Sequence, residues 1–285
     1  MNNQKKIFSL GIFFLFLLIN SLSANAQKLR VEEVLAKHLE SIGSPENRSA
    51  VRNYLFAGDA KFKTPYQGSP LVNGKIILAS EDNKMLFNLG LNSLNYRQEL
   101  INYDGKKSKI DFISPGTRSP LGAFLIGQES TIVNGLLGGV LFKSWTLLNS
   151  PETKARLTLD GTRKVNEVEY YVIDYNPRRG TDSTIKLYFD LQNFRHVRTE
   201  YKRVIPSRIG STPDTSAHKG ESRQILIEEF SNFKTVNNLT LPQDYQLLLT
   251  TDGQRGANQF QWKINISQFL FNQKFNPESF ESSAN

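Results

Sequence analysis

The side chains able to do chemistry are few and far apart. Three histidines, His38, His196 and His218, share no ligand-like spacing, and the chain has no cysteine, so neither a thiolate nor a paired-imidazole metal centre is expected. No Gly-x-Ser-x-Gly elbow, His-Glu-x-x-His helix, phosphate-cradling glycine loop or dinucleotide fingerprint is present. The adjacent carboxylates Glu32-Glu33 and Glu228-Glu229 suggest acid–base work, which needs two groups facing one reacting bond. Neighbours on a strand point to opposite faces, and acidic residues opening a helix complement its dipole; both pairs therefore read as solvated charge. His38 reads as a core or boundary histidine on an apolar helix face, and His218 as inert in a turn-rich segment. Arg178 and Arg179, in "NPRRGTDS", decorate a turn or meet an anionic headgroup. The expectation is a binding protein, not an enzyme, with no cofactor and no metal.

Few reactive groups leave the architecture to carry the function. Val31, Val34, Leu35, His38, Leu39 and Ile42 recur at helical period, with Glu32 and Glu33 in the first turn and Gly43 as the stop. Ser44 and Pro45 then cap and open a short second helical stretch to about Arg52. From Tyr54 the period becomes two. Twelve strand candidates follow: 54–62, 72–80, 84–91, 96–103, 107–113, 153–160, 168–176, 184–190, 195–204, 223–233, 239–250 and 259–269. Asp104-Gly105, Asp160-Gly161 and Asp252-Gly253 supply turn chemistry between them. Helix-length crossovers are lacking, which excludes a parallel α/β sheet. "TIKLYFD" alternates Ile185, Leu187 and Phe189 with polar residues, and in "HVRTEYKR" His196, Arg198, Glu200 and Lys202 oppose Val197, Thr199 and Tyr201. One face of such a sheet is dry and needs a cover.

Two breaks interrupt the meander. In the first, 114–150, Ile132, Val133, Leu136, Leu137, Val140, Leu141 and Trp145 fit a helix over about 130–145, with Ser130 available as its cap. Gly135, Gly138 and Gly139 weaken that helix by about 1 kcal/mol each, which points to a broken or mobile lid. If it is a lid, Leu137→Asp and Leu141→Asp abolish ligand uptake and leave folding intact. The second break, 206–222, reads as a flexible loop, and the tail after Pro277 is expected to fray.

The chain begins with an address. Lys5 and Lys6 precede the apolar run Ile7–Ile19, and Ala24-Asn25-Ala26 has the small-x-small form of a signal-peptidase site, so cleavage after Ala26 is expected. Removing the two lysines takes the formal charge from +8 to +6, spread too evenly for the basic stripe of a nucleic-acid surface. Without a cysteine no lipid anchor can be attached. No later run is long enough for a membrane span. The expected product is a periplasmic monomer of one domain, 27–285, with a helical insert at about 119–148 and a loop at about 205–222.

Helix "HLESIG", the "NYDGKK" hairpin, the apolar insert, "DGTRKVNEVEYYVIDYNPRRG…LYFDLQNFRHVRTEY" and "FKTVNNLTLPQDYQLLL", in that order, resemble the LolA-like superfamily of bacterial envelope proteins, though not LolA itself. The resemblance covers nearly all of the mature chain. It implies a mainly β (α+β) fold: an unclosed, strongly curved antiparallel half-barrel of about 11–12 strands, with helices covering the concave face. It also implies a hydrophobic or amphiphilic ligand, a lipid or lipoprotein acyl chain, handled by a non-catalytic carrier or chaperone. Phe124, Leu125, Val133, Leu136, Leu137, Val140, Leu141 and Trp145 are the candidate lining. The alternative is an envelope adaptor or regulator that fills its cavity with its own helices and acts through a protein partner.

Overall fold

The period-two runs pair into one antiparallel sheet. The computed structural model of the chain describes residues 29–66, 68–148, 155–178, 182–206, 221–253 and 256–281; the leader, His218 and most of the 206–222 loop lie outside them. Of two compact units, Met1–Arg30 and Val31–Asn285, the second holds all the structure that follows.

Helix α1 (Val31–Ile42) buries Val34, His38 and Ile42, one stripe at four-residue spacing. In α2 (Pro45–Ala50) the Ser44 side chain accepts from Asn47 N at 3.3 Å, the cap expected from the sequence. Twelve strands follow the pattern: β1 (Asn53–Lys63), β2 (Val72–Glu81), β3 (Lys84–Leu91), β4 (Gln98–Tyr103), β5 (Ser108–Ile110), β6 (Arg156–Val165), β7 (Val168–Asn176), β8 (Ser183–Asp190), β9 (His196–Ile205), β10 (Ser222–Val236), β11 (Leu239–Gly253) and β12 (Gly256–Phe271). Their order is β5-β4-β3-β2-β1-β12-β11-β10-β9-β8-β7-β6. Two meanders are thus joined where the first strand meets the last, Phe56 opposite Phe269 and Phe62 opposite Trp262.

That order leaves β5 and β6 as edges, and the segment 111–155 carries the chain from one edge to the other. Lys143 N–H donates to Ser80 Oγ on β2 at 2.7 Å, while Thr146 Oγ1 lies 3.3 Å from the Tyr175 hydroxyl on β7. Three residues of chain reach about 11 Å. β2 and β7 are seven strand spacings apart in the sheet order, about 33 Å if it were flat. The sheet therefore curls around this insert without closing into a barrel, and the helical pieces cover its inner face.

Four expectations are corrected. Asp160-Gly161 makes a bulge inside β6, between Leu159 and Thr162, with Gly161 at φ 90°; the hairpin turn is Asn166-Glu167, both left-handed. His196 belongs to the inner face, because a register shift opposite Tyr188 and Phe189 inserts one residue and aligns it with Thr199 and Tyr201. Phe280 is 2% exposed and packs edge-on against Phe275, in a short 3₁₀ turn (Pro277–Phe280) capped by Asn276, so the tail through Glu281 is docked. The helix over 130–145 does not form. The insert holds α3 (Pro120–Ile126), whose cap is Ser119, then α4 (Glu129–Val133), opened by Gln128 and not Ser130, then a 3₁₀ turn (Gly139–Leu141).

The glycines explain the last correction. Gly135 and Gly139 have φ of 61° and 50°; a Cβ would sit 2.0 Å from Ser144 O at the first and 2.2 Å from the Trp145 ring at the second. They break the helix and let the insert fold tightly on itself. Gly135→Ala is expected to cost about 3 kcal/mol in urea unfolding. Gly90→Ala, where an added Cβ meets nothing within 4 Å, should change stability by less than about 0.5 kcal/mol.

Candidate functional site

The inner face of the sheet and the insert together form the candidate site. Seven of the eight predicted lining residues, Phe124, Leu125, Leu136, Leu137, Val140, Leu141 and Trp145, are at most 1% exposed. Val133, the eighth, is 42% exposed: it ends α4, and the turn at Asn134-Gly135 carries the following leucines inward while leaving it outside.

Discrete polar tethers hold this apolar insert. Besides the Ser80 and Tyr175 contacts, Gly138 N–H donates to Glu228 Oε1 at 2.7 Å, Lys143 Nζ to Arg48 O at 2.9 Å, and Gln128 Nε2 to the Asp182 carboxylate. Gly122 lies against the buried Glu99 carboxylate, which takes the Tyr96 hydroxyl; Tyr96 in turn accepts from Trp262 Nε1 at 3.2 Å.

Glu228 corrects the solvated-charge reading of Glu228-Glu229. Glu229 does face outward, to Arg198 at 2.6 Å, but Glu228 is 0% exposed on β10, between Leu226 and Phe230. Its partners beside Gly138 are the hydroxyls of Tyr201 on β9, at 2.7 Å, and Tyr245 on β11. Burial pushes its carboxyl up to about 7, against the pull of these three donors. Glu99 is likewise raised to about 7 by burial, opposed by hydrogen bonds from Ser119 and Tyr96. Sequence reasoning missed both carboxyls. The available signal was the alternation itself, since Leu226-x-Glu228-x-Phe230 and Glu99-x-Ile101-x-Tyr103 set each glutamate in register with inward apolar residues.

The two buried histidines complete the wall. His38 Nδ1–H donates to Phe194 O at 3.1 Å, which anchors α1 over the 191–195 turn and leaves Nε2 bare. His196 Nε2 lies 2.9 Å from Thr199 Oγ1, its ring 4.3 Å from Trp145 and 4.9 Å from Phe230. Burial lowers His38 to about 4 and His196 well below its ordinary value, so both are neutral core residues, as expected for His38 from its helix face. Among the described residues no three His, Asp or Glu side chains gather where a metal ion could be held, and no helix is long and apolar enough to cross a membrane.

Outside, two polar grooves of about 380 and 370 Å³ share Glu229 and Ser231. They lie on the opposite face of the sheet from the predicted residues. Arg178 is exposed, and Arg179 lies outside the described residues.

No family model matches the chain, and no curated protein matches it. Solved structures similar to it include a LolA superfamily protein from Nitrosomonas europaea, 13% identical over 89% of this chain and 98% of that one, with a TM-score of 0.49. A DUF1329 family protein from Desulfovibrio piger is 8% identical over 89% and 98%, with a TM-score of 0.46. A putative outer membrane lipoprotein-sorting protein domain from Vibrio parahaemolyticus is 11% identical over 87% and 97%, at 0.42.

Proposed function

We propose that the chain is a non-catalytic envelope protein that receives the hydrocarbon part of an amphiphile, a lipid or a lipoprotein acyl chain, between its sheet and its insert. Residues 27–285 form one domain of this kind, exported to the periplasm by the leader and released after Ala26. The observation that carries the reading is the way the insert is attached to the sheet. It joins the two open edges, lies against the inner face through apolar side chains, and is attached by separate tethers at Ser80, Glu228, Tyr175 and Asp182 instead of by a strand ladder. An acyl chain offers the inner face the same apolar contact that Leu137, Leu141 and Trp145 offer it.

A second reading has support of its own. The near-complete burial of the seven lining residues favours an adaptor whose interior is filled by its own insert and which works through a protein partner. Mass spectrometry of an organic extract, from protein purified out of its native envelope, separates the two. The carrier yields a stoichiometric lipid and takes up a fluorescent fatty alcohol. A clean extract together with no uptake contradicts the carrier and leaves the adaptor.

A further inference from the structure

Resting on the carrier reading, we infer that Glu228 is the headgroup subsite of the interior and that the amphiphile it receives bears an ammonium group.

The position of the carboxylate is the first argument. Tyr201 and Tyr245 reach it from the strands on either side, and β9, β10 and β11 are hydrogen-bonded to one another along their length. These two donors belong to the sheet and remain when the insert shifts. The third donor, Gly138 N–H, belongs to the insert and leaves with it. Displacement therefore opens one acceptor position on an oxygen that is already aimed into the space vacated.

Charge is the second argument. All three partners of Glu228 are neutral donors, and no lysine or arginine is among them. The nearby imidazoles of His38 and His196 are held neutral by burial. A carboxylate enclosed in an apolar interior without a cation is costly, and an opposite charge brought in beside it relieves that cost. A hydroxyl headgroup would supply the missing donor, an ammonium supplies the donor and the missing charge, and a carboxylate headgroup would repel.

A third observation is independent of both. His38 Nε2 and Trp145 Nε1 are buried and have no hydrogen-bond partner. Their rings pack with His196, which packs on Phe230, two residues along the strand from Glu228. Trp145 also lies against Gly139, the neighbour of the residue that tethers the carboxylate. Trp145 moves with the insert, so the wall that stays beside Glu228 keeps one acceptor unsatisfied by the protein itself, His38 Nε2, where the polar end of a guest would arrive.

The test uses the mature chain at pH 7 with tetradecylamine, tetradecanol and tetradecanoic acid below their critical concentrations, followed by titration calorimetry and by tryptophan fluorescence. The amine is expected to bind at least about tenfold tighter than the alcohol, and the acid weakest. Glu228→Gln should bring amine and alcohol within about threefold of each other. If that variant does not fold by circular dichroism, wild type at pH 5 replaces it. There the carboxyl carries its proton, His38, His196, Tyr201 and Tyr245 are still neutral, and the amine's advantage should vanish. Equal binding of amine and alcohol by wild type overturns the inference and leaves the carrier reading standing. So does an advantage that survives both Glu228→Gln and pH 5. If none of the three binds, the carrier reading fails and takes the subsite with it.

Discussion

Leu141→Asp is expected to abolish the cooperative unfolding transition. Leu141 is 0% exposed in the 3₁₀ turn at the centre of the insert. Removing its side chain costs about 2–5 kcal/mol, and a carboxylate without a partner adds several more. The sum is comparable to the whole stability of an ordinary domain, about 5–15 kcal/mol. Urea titration followed by circular dichroism should show no transition, with Leu137→Asp behaving alike. Val133→Asp is the control from the same segment: at 42% exposure it should shift stability by less than about 0.5 kcal/mol. This revises the expectation of a loosely held lid, for which both leucine variants would keep the fold. A cooperative Leu141→Asp variant would show that the insert is dispensable to the core.

The second large effect is on pH. Glu99 and Glu228 have folded values raised to about 7, so the folded state binds their protons more tightly than the unfolded chain does. Their ionisation destabilises the fold as pH rises through 7, and protonation relieves the cost below it, by up to about 3 kcal/mol for each carboxyl. His38 and His196 act in the opposite sense. Their folded values are depressed, His38 to about 4, so the stability they contribute is present above the ordinary histidine value of about 6.5 and is lost as pH falls from there. Stability should therefore rise as pH is lowered from 8 to about 6.5, then hold nearly level to about 4.5, where the two pairs offset. Glu228→Gln removes half of the carboxyl contribution, so its stability should fall steadily across 6.5 to 4.5 while wild type stays level. Parallel profiles for the two proteins in urea titrations would show that Glu228 ionises in the fold as it does in the unfolded chain.

Much of this architecture was legible in the sequence, for identifiable reasons. Strands with one wet and one dry face write their period into the chain, and Ser44-Pro45, Gly43 and Asp104-Gly105 act through the few residues around them. The Asp104 carboxylate accepts from Lys106 and Lys107 N–H at 2.7 Å, as such a turn requires. What was not legible depends on partners distant in sequence. Register shifts decide that His196 faces inward, and Gly161 reads as a turn residue whether it closes a hairpin or makes a bulge. The helical spacing of 132–145 was real, but Gly135 and Gly139 have their conformations dictated by Ser144 and Trp145, which only the folded insert brings against them. Seven of the eight residues proposed as lining are buried, because burial tracks hydrophobicity. The polar members of the site, Glu228, Glu99, Tyr201 and Tyr245, escaped because a charged residue inside is the exception to that rule.

Displacement of the insert from the sheet can be tested with one bond. Lys143 N lies 2.7 Å from Ser80 Oγ, which places the two Cα atoms within the range a disulfide spans, and the chain has no other cysteine to compete. In Ser80→Cys/Lys143→Cys the oxidised protein is expected to be folded and to take up no fluorescent fatty alcohol, and reduction is expected to restore uptake to the wild-type level. Equal uptake in the oxidised and reduced forms would contradict it, since the acyl chain would then enter with the insert still in place.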